Sequence, residues 1–404
     1  MTDQRGLLPL LALTCGVAVG NVYFPQATSP LVAAGLHVAP GTAAAVVTAT
    51  QFGYAAGIFF LVPLGDRLPY RRLVVTLLGL TGLGPLAAAA APTLPALVVA
   101  SAAVGVTTVV APILGALAAG LVPANRRGAV GGTLLSGALG GMLLSRTVAG
   151  ALGERLGWRA LYLVAAGLTL LTAALLSRAL PPTRPPSARR YPALLAESIG
   201  LLRTEPELRR SCLYQTAVFT GFSAVWGAVA LLFTGPAYHL GTSAVGTLAL
   251  VNAITMVSTP VAGRQVDRRG SDTVNVACLV AVIGAAAVLA IGGAGGVTGL
   301  AAVAAGTLLL DVAMQAGTAA NVVRLYALRA EIRNRLNTVH MTCAYLGGSA
   351  GSWLGVRTYG RFGWPALCAL VALLAIPALA HLLMRARGAR AGLTVAGLPA
   401  PGRR

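Results

Sequence analysis

Twelve long apolar runs, separated by short loops, leave this chain very few possible folds. Each run is close to the roughly 20 residues that an α-helix needs to cross the hydrocarbon core of a bilayer. Hydrophobic residues make up 56% of the chain and charged residues only 10%, whereas soluble domains carry about 25% charge. The sequence therefore predicts an all-α integral membrane protein with twelve transmembrane helices. These predicted helices, called spans 1 to 12 in chain order, cover residues 7–35, 41–64, 72–91, 94–122, 129–150, 159–179, 211–235, 244–263, 273–293, 297–322, 336–356 and 364–384.

The distribution of arginine predicts the orientation of the chain in the membrane. All 30 basic residues are arginine and the net charge is +20, a balance that in a soluble chain would suggest nucleic acid. Here they lie in loops and tails, 25 of them on the side that holds both termini. Four lie on the other side: Arg155, Arg159, Arg357 and Arg361. Since arginine-rich loops stay in the cytoplasm, we expect a bacterial plasma-membrane protein with both termini cytoplasmic and no nucleic-acid partner.

A short basic loop recurs once in each half of the chain. The first copy, in residues 62–72, and the second, in residues 263–270, each place an Asp-Arg pair between two apolar runs. One such loop per half indicates that a single unit was duplicated, as in many transporters. The candidate residues of the two loops are Gly65, Asp66, Arg67, Arg71 and Arg72, then Gly263, Asp267, Arg268 and Gly270.

The repeated pattern G-x-x-x-D-R-x-G-R-R resembles the loop 2–3 signature of the major facilitator superfamily, and the resemblance covers nearly the whole chain. The first copy departs from the signature at Val62, Pro69 and Tyr70. The family implies two pseudo-symmetric six-helix bundles with a substrate cavity between them, near the bilayer midplane. It also implies that helices 1, 4, 7 and 10 line the cavity, and that the two loops act as cytoplasmic latches stabilising one access state.

We expect four parts along the chain. They are an N-terminal bundle over residues 1–180, a cytoplasmic linker over 181–209, a C-terminal bundle over 210–385 and a basic cytoplasmic tail over 386–404. Paired glycines in two spans are spaced for close helix packing. These pairs are Gly137/Gly141 in span 5 and Gly347/Gly351 in span 11.

Shorter resemblances bear on the direction of transport. Residues 21–26, 144–150 and 335–342 are similar to a group of bacterial exporters, and the glycines of span 5 resemble the antiporter signature of drug-exporting branches. That signature is not kept at Met142 or Arg146. The resemblance implies proton-coupled export of a small, partly apolar organic molecule; the alternative is transport of a sugar, nucleoside or biosynthetic product.

Other classes of function find no support in the sequence. An intramembrane enzyme would need a nucleophile–base or metal constellation, and the chain has no H-E-x-x-H or Walker motif. The five cysteines are scattered singly, without metal or redox spacing. We therefore expect a protein that is not an enzyme and needs no cofactor or metal. We also expect it to be monomeric. Its expected partners are a small-molecule substrate, protons and the lipid bilayer.

Asp311 is the only one of the ten acidic residues deep in a predicted span. A charged Asp at a helix centre costs roughly 2.5–3.5 kcal/mol on insertion scales, so it faces a cavity or a partner. We hypothesise that Asp311 carries the coupling proton; a structural carboxylate bonded to a neighbouring helix is the alternative. His340 is a second candidate, because imidazole titrates near neutrality. Arg146, the only arginine well inside a span, could hold Asp311 ionised, bind an anionic substrate or reach the outer interface.

Polar and aromatic residues of spans 1, 7 and 10 are further candidates for the substrate cavity. Gln215, Phe219, Phe222 and Trp226 follow each other at i, i+4, i+7 and i+11, which places them on one face of span 7. This face could either contact the substrate or pack in the protein core. The remaining candidates are Asn21, Tyr23 and Gln26 in span 1, whose polar groups should avoid lipid, together with Arg146 and Gln315.

Overall fold

The computed structural model describes residues 4–123, 126–182, 190–328 and 332–395, and within these ranges the chain forms only helices, turns and loops. In that part of the chain nine apolar helices are long enough to cross a bilayer, and a shorter apolar stretch, Thr242–Ile254, accompanies them.

The first half contains spans 1 to 6. Span 1 consists of Gln4–Tyr23 and Pro25–Leu36; span 2 of Pro40–Ala43, Ala45–Leu61 and the 3-10 turn Val62–Asp66; span 3 of Tyr70–Ala89; span 4 of Leu94–Thr107 and Val110–Leu121; and spans 5 and 6 share the helix Arg127–Ala179. A separate helix, Tyr191–Thr204, follows and is called the linker helix.

The second half contains spans 7 to 12. Span 7 is Pro206–Thr234; span 8 begins with Thr242–Val251 and the 3-10 turn Asn252–Ile254; spans 8 and 9 then share Thr255–Ile291, followed by the turn Gly292–Ala294; span 10 is Gly296–Tyr326; and spans 11 and 12 share Arg333–Val395.

Three glycines divide the shared helices into separate spans. A straight helix of 53 residues, the length of Arg127–Ala179, would extend about 80 Å, against about 30 Å of hydrocarbon. The chain reverses at Gly157 (φ 77°), Gly270 (φ 78°) and Gly363 (φ 80°). This positive φ is easily reached only by glycine. With these three reversals the described helices make twelve membrane crossings, as the sequence predicts.

Small residues bring the helices of each half into close contact. In the first half, span 1 packs on span 5, and a Cβ at Gly141 would lie 2.0 Å from the carbonyl oxygen of Gly16. In the second half, span 7 packs on span 11, and a Cβ at Gly351 would lie 2.1 Å from the carbonyl oxygen of Thr220. The glycine pairs of spans 5 and 11 therefore lie at equivalent helix contacts, which relates the two halves by pseudo-symmetry.

The two halves meet along two pairs of spans. Span 5 packs on span 8, and span 2 packs on span 11, where Ser349 Oγ donates to the carbonyl of Thr48 at 3.0 Å. Spans 2 and 8 and spans 5 and 11 occupy corresponding positions in the duplicated halves. The predicted fold, twelve membrane helices in two pseudo-symmetric six-helix bundles, is confirmed.

Candidate functional site

A cavity of about 440 Å³ lies between the two halves. It is lined by spans 1, 2, 4 and 5 of the first half and spans 7, 10 and 11 of the second, together with the linker helix. Family resemblance predicts four of these lining helices, and spans 2, 5 and 11 are additions. The cavity extends from Cys15 and Tyr23 to Asp66 and Arg335, near the loops between spans 2 and 3 and between spans 10 and 11. We call this side of the protein the linker side.

The cavity wall differs between the two halves. The first half contributes mainly apolar and aromatic side chains, including Tyr54, Ile58 and Met142. The second half adds amides and hydroxyls: Gln215, Gln315, Thr318, Asn337 and Thr338. The charged lining residues, Asp66 and Arg335, lie at the linker-side end. The wall is therefore suited to an uncharged molecule with one apolar and one hydrogen-bonding face.

Two tyrosines from opposite halves close the far end of the cavity. The hydroxyls of Tyr23 in span 1 and Tyr345 in span 11 are 3.0 Å apart and share a hydrogen bond. The rings of Tyr54 and Phe219 pack on Tyr345, with centroids 4.5 and 4.9 Å away. We call this group the aromatic roof.

Beyond the roof, spans 5 and 8 form a second closure on the side opposite the linker. Glu154 Oε1 accepts a hydrogen bond from the backbone N–H of Ser243 at 2.9 Å, at the N-terminus of span 8. Thr147 Oγ1 donates to the carbonyl of Gly246 at 3.0 Å, and a Cβ at Gly150 would lie 2.5 Å from the carbonyl oxygen of Thr242. We call these contacts the outer seal.

Asp311 lies buried behind the aromatic roof, with both carboxylate oxygens engaged. Oδ1 accepts from the indole Nε1 of Trp226 at 2.9 Å, and Oδ2 accepts from Nδ2 of Asn252 at 3.2 Å. The two donors come from spans 7 and 8. Met314 and Gln315, one helical turn further along span 10, line the cavity. Two N–H donors suit an ionised carboxylate, so this arrangement is that of a deprotonated site.

Arg146 is fully buried and lies over the ring face of Trp226. Its Nε donates to Gln26 Oε1 at 2.9 Å, and its guanidinium carbon lies 4.0 Å from the Trp226 ring centroid. Tyr23 and Phe222 flank it at 5.0 and 5.5 Å. Trp226 thus contacts both residues, Arg146 over its ring face and Asp311 at its N–H edge, and no direct ion pair joins the two in the described part of the chain. Cation–π contacts with three rings offset part of the desolvation of the guanidinium.

The predicted cavity residues fall into two groups. Tyr23, Gln215, Phe219 and Gln315 line the cavity. Gln26, Arg146, Phe222 and Trp226 lie behind the roof, around Asp311. Asn21 lies in neither place, because its Nδ2 donates to Thr169 Oγ1 at 3.1 Å within the first half. His340 is fully buried without a hydrogen-bond partner among the described residues, and it does not line the cavity.

The two Asp-Arg loops differ in their surroundings. In the first, Gly65 and Asp66 line the linker-side end of the cavity, Arg71 donates to the carbonyl of Ser177 at 2.5 Å, and Arg67 and Arg72 are exposed. In the second, Gly263 is half-buried, and Asp267, Arg268 and Gly270 are exposed.

A cluster of charges at the linker-side end of the second half escaped the sequence reasoning. Asp272 pairs with Arg210 at 3.0 Å and also with Arg324. Glu207 lies 2.7 Å from Arg210 and 3.6 Å from Arg324. The cluster joins the ends of spans 7, 9 and 10. Its only signal in the sequence is that charges of both signs occur at span ends.

The linker helix touches both halves. Tyr191 Oη donates to the carbonyl of Phe60 at 2.6 Å, and partial burial raises the pKa of this phenol, which keeps it a donor. Glu197 forms an ion pair with Arg335 at the start of span 11. Leu194 and Ser198 line the cavity. The linker helix therefore borders the cavity entrance.

Twelve membrane helices in two related halves, with a cavity between them that is closed at one end, define a membrane transporter. The chain belongs to the Major Facilitator Superfamily, whose profile matches residues 10–352. The transporter YgaY of Escherichia coli strain K12 is 33% identical over 371 residues, covering 92% of this chain and 93% of that protein. The transporter SCO4007 of Streptomyces coelicolor is 32% identical over 369 residues, covering 91% and 84%.

A solved structure of the nucleoside transporter NupG, in a mutant form, has a similar fold. It superposes with a TM-score of 0.75 over 93% of this chain and 98% of that one, at 12% sequence identity. At 12% sequence identity this similarity shows a shared fold and nothing about the substrate.

Proposed function

We propose that this chain is a proton-coupled exporter of small, uncharged, partly apolar organic molecules. The observation that carries the proposal is Asp311, a buried carboxylate one helical turn from the cavity, held by Trp226 and Asn252. The cavity wall supports the substrate class, because its charged residues lie only at the linker-side end.

Asn252 gives Asp311 a way to exist in either protonation state. Its Nδ2 donates to the carboxylate, while its Oδ1 is buried without a partner in the described part of the chain. Once Asp311 is protonated, its new O–H needs an acceptor, and a flip of the Asn252 amide presents Oδ1 to it. Both states then keep two hydrogen bonds, so proton exchange leaves no buried polar group of Asp311 unpaired.

Arg146 acts in this scheme as the counter-charge of ionised Asp311, and both residues contact Trp226. Protonation of Asp311 leaves the guanidinium without its balancing charge. We infer that the proton reaches Asp311 while the outer seal is open, and that this imbalance favours closure of the seal by spans 5 and 8 and return to the arrangement that is open to the linker side. Proton release toward the linker side restores the neutral cluster and the closed roof. Transport then alternates between the two openings, as in other two-bundle transporters.

The arginine distribution assigns the linker side to the cytoplasm. With that orientation, the cavity collects substrate from inside the cell, and the protein functions as a monomer in the plasma membrane. The latch role of the two loops remains part of this proposal.

The function is tested with purified protein reconstituted into liposomes that contain a pH-sensitive dye. A panel of uncharged aromatic compounds is added, and substrate-driven proton movement is followed by fluorescence. We expect at least one compound to move protons in the wild type and none to do so in Asp311→Asn. A wild type that transports such compounds without any proton movement would contradict the proposal.

Nucleoside or sugar transport is the second candidate. The amides and hydroxyls of the second half, such as Gln215 and Thr318, suit sugar hydroxyls, and the similar solved structure is that of a nucleoside transporter. Uridine in the same liposome assay separates the two candidates, since saturable uridine uptake with no response to the aromatic panel favours this alternative.

A further inference from the structure

A directed chain of hydrogen bonds leads from the linker-side end of span 9 to the cavity wall. Asn275 Nδ2 donates to Asn321 Oδ1 at 3.2 Å, and Asn321 Nδ2 donates to Gln215 Oε1 at 3.2 Å. Gln215 Nε2 then donates to Thr318 Oγ1 at 2.8 Å. The chain thus connects span 9, span 10 and span 7. Gln215 and Thr318 line the cavity, whereas Asn275 and Asn321 lie behind its wall.

Backbone carbonyls fix the direction of this chain at both ends. At the start, Asn275 Nδ2 also donates to the carbonyl of Ser271 at 2.9 Å. At the end, Thr318 Oγ1 donates its own hydrogen to the carbonyl of Met314 at 2.8 Å. A backbone carbonyl can only accept, so the Asn275 end cannot reverse, and the contact of Thr318 with Met314 agrees with the direction that it sets. The Thr318 oxygen must therefore receive a hydrogen, and Gln215 must turn its amide nitrogen toward Thr318.

We infer that this chain makes Gln215 a fixed hydrogen-bond donor in the cavity, and that the cavity selects uncharged ligands carrying a hydrogen-bond acceptor. The Gln215 amide nitrogen has two hydrogens, of which Thr318 takes one. The carbonyl oxygen is already occupied by Asn321. A ligand that faces Gln215 therefore meets an N–H group. The inference specifies the substrate class of the proposed exporter, and to that extent it rests on the proposed function. The ligand preference itself is a binding property that does not depend on transport.

The rest of the wall completes the ligand description. Phe219 lies one turn from Gln215 on the same face of span 7 and stacks with Phe222 at 5.5 Å between ring centroids. Tyr54 and Met142 face the same cavity from the first half. Aromatic and thioether side chains favour a flat apolar body. The expected ligand is thus an aromatic ring system with a ring nitrogen, carbonyl or ether oxygen at one edge.

Asn321 is the positioning residue in this arrangement, and its conversion to Asp gives a sharp test. An Asp carboxylate can still accept from Asn275, but it has no N–H to give to Gln215. The Gln215 amide must then rotate by half a turn and donate to position 321, and the Thr318 hydroxyl turns its hydrogen from the Met314 carbonyl to Gln215 Oε1. This rotation presents the Gln215 oxygen to the cavity, so Asn321→Asp converts the donor into an acceptor without touching the ligand.

The experiment compares two uncharged bicyclic probes by isothermal titration calorimetry of the purified full-length protein. Quinoline carries an acceptor nitrogen and no donor, and indole carries a donor N–H and no acceptor. One net hydrogen bond contributes about 1 kcal/mol, so the wild type should bind quinoline roughly 5- to 10-fold more tightly than indole. The order should reverse in Asn321→Asp. Gln215→Glu, which presents only oxygen atoms, should reverse it as well.

Asn21→Asp is the matched control, since it adds the same buried charge within a span of the first half, away from the cavity and from this chain. It should keep the wild-type preference. If Asn321→Asp does not fold, the Gln215→Glu protein decides the result. Equal binding of the probes by the wild type, absence of binding, or an unchanged order in the folded variants would overturn the inference. Asp311→Asn should retain the wild-type preference, so loss of proton coupling and loss of ligand selection are separable.

Discussion

Replacing Asp311 by Asn removes the proposed proton site while keeping the shape of the side chain. The carboxylate accepts from Trp226 and Asn252, whereas an Asn side chain has one acceptor and one donor group. The new carbonyl can keep the bond from Trp226. The new amide nitrogen then faces Asn252 and needs an acceptor there.

Asn252 can supply that acceptor by the same amide flip that we propose for protonated Asp311. Its Oδ1 is buried without a partner among the described residues, so the flip pairs Oδ1 and leaves Nδ2 unpaired in its place. The variant therefore retains two hydrogen bonds at this position. We expect its free energy of unfolding to stay within about 1 kcal/mol of the wild type, the net value of a single hydrogen bond.

The effect on transport should be far larger than the effect on stability. One elementary charge moving through 100 mV yields about 2.3 kcal/mol. Since about 1.4 kcal/mol corresponds to a tenfold concentration ratio, one proton per cycle could sustain roughly fifty-fold accumulation of an uncharged substrate. Without a titrating group the Asn variant should reach no accumulation, while downhill exchange of substrate continues.

The assay uses proteoliposomes loaded with a substrate found in the panel, with the membrane potential set by a potassium gradient and valinomycin. Wild type and Asp311→Asn are compared for uphill accumulation and for exchange at zero potential. Trp226→Phe serves as a second variant, because it removes the indole N–H and leaves one Asp311 oxygen without its donor. If Asp311→Asn still drives uphill transport with unchanged pH dependence, the proton passes elsewhere and His340 is the next residue to test.

Three further predictions concern the topology, the outer seal and the linker-side loops. A reporter fused to the C-terminus should be active only in a cytoplasmic form and one in the loop 236–243 only in an external form; the opposite result would refute the orientation. Glu154→Gln removes the charge and weakens the hydrogen bond from Ser243, so labelling of Thr147→Cys by an external membrane-impermeant thiol reagent should rise about 5- to 10-fold; unchanged labelling would show that the seal does not depend on the charge of Glu154. Asp66→Asn should slow transport at normal expression more than Asp267→Asn, because Asp66 lies near Arg335 at the cavity end and Asp267 is exposed; full transport in both variants would exclude the latch role.

The sequence alone determines that the chain is a membrane transporter of two related halves. Low charge and twelve apolar runs force helices, because backbone polar groups in lipid must be satisfied within the segment. The duplicated loop marks a chain reversal in each half, and the spacing of Gly347 and Gly351 marks a close helix contact. Both are local features of the sequence. The choice of Asp311 as a candidate functional residue also follows from the sequence, because a carboxylate inside a membrane is costly wherever it lies.

What surrounds Asp311 is a different matter, because its neighbours come from distant parts of the chain. Trp226 and Asn252 lie in spans 7 and 8, and Arg146 lies in span 5. Nothing in the spacing of these residues shows that one indole contacts both charges. The relative rotation of the packed helices decides this, and that rotation depends on contacts summed over both halves.

The same reason explains the residues that sequence reasoning missed. Tyr345, Asn321 and Glu154 are ordinary residues for their segments, and each takes its role from a partner more than eighty residues away. The directed amide chain behind the cavity wall depends on which carbonyl faces which amide across three helices. Local sequence sets the helices and their polar positions, and only the tertiary structure sets which hydrogen bonds these positions make.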